Sequence, residues 1–328
     1  MSYCLNCYAK FFSRSVYSFK PGFNHTLFFK RVKRYDKYRS HYVVKTDAHA
    51  YTDSMNPEIL DKHVKEVIGQ DEEVYNFIHW LLTRYEYYYK GELHHEKFTL
   101  SCGVPLSSLF CNAYLMHVDE LFDKKYPLYM RFSDDIAVFC KTEEDAIKVR
   151  NQLEEEMTKI DLTLNEDKTT IYKPGEAFTI LGFQTGVKEI DLAPGNVQKL
   201  IGRINHVEKK LLKQRRHQTF TREQCFHYAD KFQSRLLYGN PKYPTNLNWS
   251  LWTFATITTD KSLKKIDHRI QMFLRSVYTG KKCKATYRMS YKELKAFGYK
   301  TLVNQYHDRD KLFEERRNIE LKQMGINN

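Results

Sequence analysis

The stretch Tyr129-Met-Arg-Phe-Ser-Asp-Asp-Ile-Ala-Val-Phe-Cys140 places two neighbouring aspartates between two apolar runs. Aromatic and branched residues on both sides predict short strands at Leu128–Phe132 and Ile136–Cys140. Asp134 and Asp135 then lie at or beside a hairpin tip. Adjacent carboxylates repel each other, and holding them in a half-buried site is costly unless a cation is present. The pattern therefore predicts a divalent-metal site and favours metal-dependent phosphoryl transfer.

The composition favours a polyanionic partner. The chain has 328 residues, enough for a large core and two or three subdomains. It carries 53 Lys and Arg against 40 Asp and Glu, and 15% of its residues are aromatic. Basic and aromatic residues together suit nucleic acid, which offers phosphates to attract and bases to stack. A basic surface that serves solubility is the alternative.

Membrane and secreted classes are disfavoured. No apolar run of about 18 residues occurs, so we expect no membrane span. The segment Met1–Tyr8 lacks the basic and apolar regions of a signal peptide. The seven cysteines are scattered, and Cys4-x-x-Cys7 has no second pair at zinc-site spacing. Reduced thiols and a cytoplasmic location are expected.

Periodicity and turn residues predict the other elements. From Pro194-Gly195 onward the chain is predicted to be helical and heavily basic, as a separate module, and residues 245–328 are predicted to be mostly helical. The elements before it, in chain order, are a strand at Tyr42–Asp47, a helix starting at Asn56-Pro57, a helix at Glu72–Tyr89, a turn at Phe98–Pro105 that opens a helix through Leu121, a helix at Thr142–Ile160, and strands at Thr163–Asn165, Thr169–Tyr172 and Phe178–Gln184.

Motifs in this order resemble the palm and thumb of reverse transcriptases, particularly the bacterial group II-intron-like and defence-associated kinds. The resemblance covers residues 16–190, with a looser similarity to about residue 307. The matching blocks are Val16-Tyr-Ser-Phe-Lys-Pro-Gly22, similar to SYGFRPG with Lys20 in place of Arg; Val43–Met55, similar to KTDISKFFDSI; Ser101–Leu115, similar to PQGSPLSPLLANLYL; Phe132-Ser-Asp-Asp135, similar to YxDD; Leu162–Thr169, similar to LxLNxxKT; and Ile180-Leu-Gly-Phe183, similar to FLGF.

This resemblance implies an α/β (α+β) fold of the right-hand polymerase type. A palm on a small antiparallel sheet, reduced fingers and a helical thumb are expected, with a basic cleft between them. The implied domains are residues 1–46 as the reduced fingers, 47–190 as the palm with finger-derived helices at 56–100, 191–245 as the basic thumb, and 246–328 as a helical extension.

The resemblance also implies the reaction. Nucleotide addition is an in-line displacement, and two Mg²⁺ about 4 Å apart would stabilise the attacking 3′-oxygen and the leaving pyrophosphate, with Mn²⁺ as an alternative ion. Asp47 and Asp134 would bridge the metals, and Asp135 would be a weaker or outer ligand. The backbone of Ala48 would offer a carbonyl to the metal and amides to the triphosphate. Lys168 would give charge or a proton to the pyrophosphate, unless it is a plain exposed turn lysine.

Further positions follow from the same motifs. The implied nucleotide-binding residues are Tyr51, Thr52, Cys102, Gly103 and Lys168. The implied primer grip is Leu181, Gly182 and Phe183, which also fit an ordinary core strand. The implied phosphate contacts of the thumb, which would give steep salt dependence, are Lys199, Arg203, Lys209 and Lys210; a solvated helix face is the alternative.

Three departures from the family pattern matter. The usual upstream block of basic fingertip residues is absent or reduced to Lys30–Arg39, so that this stretch, a partner chain or an RNA would complete the site. Cys102 stands where the family has Gln, which makes that wall less polar. Thr52, five residues after Asp47, stands where a bulky aromatic normally blocks the 2′-OH. Loose sugar discrimination is expected if Thr52 occupies that gate.

The leading interpretation is an RNA-directed DNA polymerase that uses an RNA template and dNTPs and makes DNA. A bacterial enzyme with a dedicated structured non-coding RNA and a role in antiphage defence is expected, because no RNase H or endonuclease constellation follows residue 190. An RNA-templated RNA polymerase or terminal transferase is the second interpretation. A non-catalytic RNA-binding scaffold is the third. A partner protein or oligomer stays open, as do template and primer.

Overall fold

The structure is a computed structural model that describes residues 6–34, 40–84, 86–95, 106–186, 188–238, 249–282, 288–297 and 299–323. The chain divides into two compact units, Met1–Leu181 and Gly182–Asn328. Each unit has its own arrangement of helices and strands.

The first unit mixes helices with short strands. After a 3₁₀ turn at Asn6–Phe11, its elements are α1 (His25–Arg34), β1 (Tyr42–Thr46), α2 (Tyr51–Ser54), α3 (Pro57–Ile68), α4 (Glu72–Thr83), β2 (Glu86–Tyr89), β3 (Glu92–His95), α5 (Ser107–Tyr114), α6 (Met116–Lys125), β4 (Tyr129–Phe132), β5 (Asp135–Cys140), α7 (Glu143–Thr158), a 3₁₀ turn at Glu166–Lys168, β6 (Thr170–Tyr172) and β7 (Phe178–Ile180).

The second unit is largely helical. Its elements are β8 (Phe183–Thr185), β9 (Asp191–Leu192), α8 (Pro194–Arg216), α9 (Arg222–Tyr238), α10 (Trp249–Phe254), α11 (Lys261–Thr279), α12 (Tyr291–Ala296), α13 (Leu302–His307) and α14 (Arg309–Gln323). Pro194 stands in the first turn of α8, where its missing N–H costs nothing, and this confirms the predicted start of the basic helix.

A four-stranded antiparallel sheet with strand order β4-β5-β1-β6 forms the centre of the first unit. β1 pairs with β5 from Tyr42 opposite Cys140 to Thr46 opposite Ile136. The hairpin of β4 and β5 closes at Phe132 opposite Asp135. A small antiparallel sheet among helices confirms the predicted α/β (α+β) class and the predicted hairpin.

Helix α7 covers this sheet and packs on β1 and β5. The Thr142 hydroxyl caps it by accepting the amide of Asp145 at 3.1 Å. Its buried stripe has the predicted three- and four-residue spacing and consists of Ala146, Val149, Leu153 and Met157. The same apolar core buries the thiols of Cys111 and Cys140, as expected for small core residues.

Two predicted elements end elsewhere because turns break them. The helix predicted to reach Tyr89 ends at Thr83, and the aromatic run that follows forms β2, paired with β3. Its two-residue loop has positive φ at Lys90 (53°) and Gly91 (88°), the requirement of a type I′ hairpin turn. Because aromatic residues favour strands, the helix predicted for this run from its periodicity was wrong.

The strand predicted at Phe178–Gln184 is also interrupted. Leu181 (φ 51°) and Gly182 (φ 80°) form a turn between β7 and β8. At Thr163–Asn165 the predicted strand is wrong as well, since only an isolated bridge joins Leu164 to Ala48. The helix predicted to run through Leu121 is two helices, α5 and α6, which meet at Leu115.

The segment 15–18 runs along the free edge of β4. Arg131 donates its backbone N–H to the Ser15 carbonyl at 2.9 Å, and Tyr17 donates to the Arg131 carbonyl at 2.8 Å. The Ser18 hydroxyl accepts the amide of Ser133 at 2.8 Å. This N-terminal block therefore extends the sheet by one parallel bridge and holds the turn that leads into Asp134.

A buried ion pair between Arg131 and Asp119 supports the same turn. The Arg131 guanidinium donates to both oxygens of Asp119, at 2.7 and 2.5 Å, and both side chains are 0% exposed. Its third contact is the Ser133 carbonyl at 2.8 Å. Burial alone would lower the pKa of Arg131, but the Asp119 carboxylate raises it above its ordinary value. The guanidinium is therefore charged and fixed beneath the turn.

In the second unit a buried carboxylate fixes α8 against α11. Glu208 of α8 is 1% exposed and contacts Arg269 and Ser276 of α11 as well as Lys282. Apolar residues of α8 such as Ile204 and Leu211 point to the same side. The opposite side of α8 is left to solvent. Among the residues described, no helix combines the length and apolarity needed to cross a membrane.

We predict that Arg131→Met destabilises the protein by about 3–5 kcal/mol, because it leaves the Asp119 carboxylate buried and unpaired. The free energy of unfolding in urea is the measurement. The matched control is Lys124→Met, which removes a lysine from an exposed pair with Glu120 and should cost less than about 1 kcal/mol.

A triple variant separates the pair from the rest of the fold. Arg131→Met with Asp119→Leu and Tyr129→Phe removes both charges together with the buried hydroxyl that donates to Asp119, and should recover most of the lost stability. An Arg131→Met variant as stable as Lys124→Met would show that the buried pair does not hold this region together.

Candidate active site

The three predicted acidic residues lie together at one end of the sheet. Asp47 follows the last residue of β1, Asp134 is in the β4–β5 turn, and Asp135 is the first residue of β5. Because Thr46 is opposite Ile136, the next positions in that register are Asp47 and Asp135. Residues far apart in sequence thus converge, as the motif order predicted.

The three carboxylates also affect one another electrostatically. Burial raises the pKa of the Asp135 carboxyl above its ordinary value, the Lys45 ammonium opposes that shift, and the charges of Asp134 and Asp47 raise the pKa further. Coupling of this kind requires the three carboxylates to lie near one another.

Asp47 is the most buried of the three, with 3% of its surface exposed. Its Oδ2 accepts a hydrogen bond from the Lys168 ammonium, which raises the pKa of Lys168. Its Oδ1 is buried and has no hydrogen-bond partner among the described residues. A buried carboxylate oxygen without a partner is costly unless something positive is bound to it.

Asp134 and Asp135 differ in their partners. Asp135 Oδ1 lies 3.5 Å from the Lys45 Nζ. The Asp134 carboxylate makes no hydrogen bond or ion pair with any residue that the structure describes, although Lys168 and Asp135 feel its charge. Each carboxylate thus has a different environment, and Asp134 is the most available.

The donor set suits a hard divalent cation. Magnesium takes carboxylate oxygens and keeps several waters, and Asp47 Oδ1 and the Asp134 carboxylate are oxygens of this kind. Over the described ranges, no group of three or more His, Cys, Asp or Glu side chains is already arranged around one ion. Instead, the Asp47 carboxylate faces the Lys168 ammonium, and the Asp135 carboxylate faces the Lys45 ammonium. A cation at Asp47 would therefore compete with Lys168.

The loop after Asp47 is fixed by its backbone. His49 donates to the Thr163 carbonyl at 2.9 Å, and Asn165 donates to the Asp47 carbonyl at 2.9 Å. Ala48, 3% exposed, lies between these two bonds. This anchoring brings the Lys168 turn beside Asp47, which explains why the predicted LxLNxxKT block belongs to the site.

Tyr51 and Thr52, the implied nucleotide-binding residues at and beside the sugar-gate position, have different surroundings. Tyr51 is 5% exposed, and its hydroxyl donates to the Cys111 carbonyl at 2.6 Å. Burial raises the pKa of Tyr51 well above its ordinary value, so it is a neutral core residue. Thr52 is partly exposed. The ring of Tyr51 is therefore not on the surface where a nucleotide would bind.

Some predicted site residues lie outside the described part of the chain, and the predicted primer grip consists of a turn and a buried residue. Cys102 and Gly103 lie outside the described residues, as does Cys4. Leu181 and Gly182 form a turn with positive φ, and Phe183 is buried at 1% exposure.

The basic stretch proposed to replace the fingertips has a structural role at Arg31. Its guanidinium donates to the Ser15 hydroxyl and the Tyr17 hydroxyl at 3.0 Å each, and to the Pro127 carbonyl at 3.1 Å. The Arg31 guanidinium therefore stabilises the fold through these three hydrogen bonds. Residues 35–39 of that stretch lie outside the described part of the chain.

The predicted basic residues of α8 are all exposed. Steps of three and four residues place most of them on one exposed stripe, here called the basic stripe, which consists of Lys199, Arg203, His206, Lys210 and Lys213. Lys209 lies beside this stripe. His206 and Lys213 were not among the predicted phosphate contacts, although their spacing from Lys199 is readable in the sequence.

The sequence also matches a known protein family. The family model described as "Reverse transcriptase (RNA-dependent DNA polymerase)" matches residues 2–185, more than half of the chain. A sequence search of curated proteins gives no match.

Solved telomerase structures are similar at low identity. One from Candida tropicalis, in complex with the TWJ fragment of telomeric RNA, has a TM-score of 0.47 at 14% identity and is matched over 81% of this chain and 43% of its own. One from Candida albicans with the same kind of fragment has a TM-score of 0.44 at 14% identity, over 93% and 55%. The chain thus spans about half the length of these proteins.

Proposed function

This chain belongs to the reverse transcriptase family, and we propose that it is an RNA-directed DNA polymerase that adds dNTPs to a primer end along an RNA template. One observation carries the proposal most directly. Inside the matched region, Asp47 and Asp134 lie in one cluster, and neither the buried Oδ1 of Asp47 nor the Asp134 carboxylate has a partner among the residues that the structure describes. Such a pair fits metal-dependent transfer of a nucleotide.

Asp47 and Asp134 would hold the divalent ions, with Asp135 and the Ala48 carbonyl as weaker or outer ligands. Two Mg²⁺, or Mn²⁺, when bound would stabilise the attacking 3′-oxygen and the leaving pyrophosphate. Lys168 is half-exposed, so its ammonium can leave Asp47 and turn toward the phosphates of the nucleotide. There it would neutralise charge or provide a proton at the departing oxygen.

The nucleic-acid partners form the second part of the proposal. The basic stripe supplies a row of cations suited to duplex phosphates, because no acidic side chain interrupts it. The division into fingers (1–46), palm (47–190), thumb (191–245) and extension (246–328) belongs to this proposal, with Leu181–Phe183 as primer grip and Cys102 and Gly103 beside the nucleotide.

A bacterial origin, a dedicated structured non-coding RNA and a role in antiphage defence complete the proposal and rest on the motif resemblance. A cytoplasmic location rests on the scattered cysteines, and a partner protein is one way to supply fingertip cations. Sequencing the nucleic acid that copurifies with the protein identifies template and product together.

A second candidate function is favoured by one contact. Because the Tyr51 hydroxyl is bonded inside the core, the small Thr52 is what remains near the surface at the gate position. A site with a small residue there accepts ribose as well as deoxyribose, which supports an RNA-templated RNA polymerase or terminal transferase on the same scaffold.

We predict that Asp47→Asn and Asp134→Asn each lower primer extension by about a thousandfold, since losing a metal ligand costs several kcal/mol of transition-state stabilisation. Extension of a labelled primer on an RNA template with Mg²⁺ is the measurement. Glu144→Gln, an exposed acid in the first turn of α7, is the control and should act like wild type. Equal function of wild type and Asp134→Asn would favour the scaffold.

We predict weak sugar discrimination, because the gate position holds the small Thr52 and the neighbouring aromatic side chain, Tyr51, lies in the core. The measurement compares kcat/KM for dGTP and GTP in the wild type and in Thr52→Phe. The variant should select dGTP about tenfold more strongly than wild type, since a clash with the 2′-OH costs on the order of 1–3 kcal/mol. A strong wild-type preference for dGTP would reject the second candidate function.

We predict that the basic stripe sets the salt dependence of duplex binding. Replacing Lys199, Arg203 and Lys210 by Ala should lower the slope of log K against log salt by about two to three, close to one unit per lost phosphate contact. Binding of an RNA–DNA duplex at several salt concentrations is the measurement. Lys148→Ala, at an exposed lysine of α7, is the control and should keep the wild-type slope. A triple variant with the slope of that control would assign the contacts elsewhere.

A further inference from the structure

Two lysines balance the acidic cluster, and they differ in how tightly they are held. The side chain of Lys45 is 13% exposed, whereas that of Lys168 is 55% exposed. Lys168 ends a short 3₁₀ turn, and its long side chain reaches Asp47 from the surface. Lys45 reaches Asp135 from inside the sheet.

The backbone of Lys45 is fixed on both sides. β1 is an inner strand, and Lys45 pairs with Ala137 of β5 on one side and with Thr170 of β6 on the other. Its ammonium lies 3.5 Å from Asp135, two residues before Ala137 on the paired strand, a diagonal neighbour on the same face. The backbone of neither partner can move away without opening the central sheet.

We propose that Lys45 is a positioning residue that keeps Asp135 out of the metal's ligand set, so that Asp47 and Asp134 alone hold the ions. This inference rests on the proposed function and refines it. Lys45 retains its carboxylate throughout, while Lys168 gives up Asp47 to the cation. Two neighbouring aspartates therefore have separate roles, one binding metal and one neutralised by a built-in ammonium.

A cation-binding measurement on the full chain tests this without relying on catalysis. Mn²⁺ is titrated in the absence of nucleic acid and nucleotide, and free Mn²⁺ is followed by electron paramagnetic resonance. Asp47→Asn and Asp134→Asn should weaken binding by about tenfold or more, and Asp135→Asn by less than about twofold. Lys45→Met keeps the apolar stem and frees Asp135, so binding should tighten by about tenfold.

A double-mutant cycle distinguishes ligand control from general electrostatics. If Lys45 acts by holding Asp135, the gain from Lys45→Met disappears when Asp135→Asn is also present. If Lys45 merely repels cations, the gain persists in that background, and the proposal is overturned. Lys45→Arg retains the ion pair and should bind Mn²⁺ like wild type. Lys141→Met, an exposed lysine just after β5, is the matched control and should change nothing.

The outcomes separate the two proposals. Asp135→Asn that weakens Mn²⁺ binding as much as Asp134→Asn overturns the role of Lys45 and leaves the polymerase assignment intact. Binding that is unaffected by Asp47→Asn and Asp134→Asn overturns both. Thermal unfolding of each variant shows that it is folded. Should Lys45→Met unfold, Asp135→Asn provides the test, because it leaves Lys45 in place and removes only the carboxylate that Lys45 is proposed to hold.

Discussion

Repulsion among three carboxylates confined to one end of a four-stranded sheet is the constraint on which the rest of the structure depends. Asp47, Asp134 and Asp135 lie close enough that the first two raise the pKa of the third. A cluster of this kind persists only if cations or fixed dipoles offset it. Two lysines do so within the chain, and backbone hydrogen bonds from residues 163–165 hold the loop after Asp47 in place.

The turn that carries Asp134 is supported by groups outside the acidic cluster. Ser18 bonds its backbone from the N-terminal block, and Arg131 bonds the Ser133 carbonyl from below. A buried ion pair such as Arg131–Asp119 contributes little net stability compared with apolar residues of the same size. The pair instead fixes the orientation of the Arg131 side chain, because a bidentate contact between a guanidinium and a carboxylate is possible in few geometries. The block at residues 16–22, recognisable only as a motif in the sequence, thus has a physical role in positioning the turn.

The sequence predicted the parts of this site that depend on local pattern. Aromatic and branched residues on both sides of Asp134 and Asp135 predicted the hairpin, and Thr142 with its apolar stripe predicted α7, since composition, capping and periodicity are local signals. The points where elements end, and the residues that meet across the sheet, were harder to predict from the sequence. The aromatic run before Lys90 continues a helical pattern, and positive φ at Leu181 has no signature in its side chain, so both breaks were missed. Ion pairs that cross the sheet, such as Lys45 with Asp135, depend on strand register and could not be read from spacing along the chain.

Different burial gives the two lysines of the cluster different roles under the proposed function. A half-exposed ammonium gains back most of its hydration when it leaves a carboxylate, whereas a mostly buried one does not. Lys168 can therefore exchange with an incoming cation at little cost, and Lys45 cannot. The same lysines would neutralise two of the three carboxylates before any cation arrives, so that the sheet end would fold without metal and still be able to bind it. Charge balance supplied from within the chain is thus compatible with a site whose ions come and go with each nucleotide.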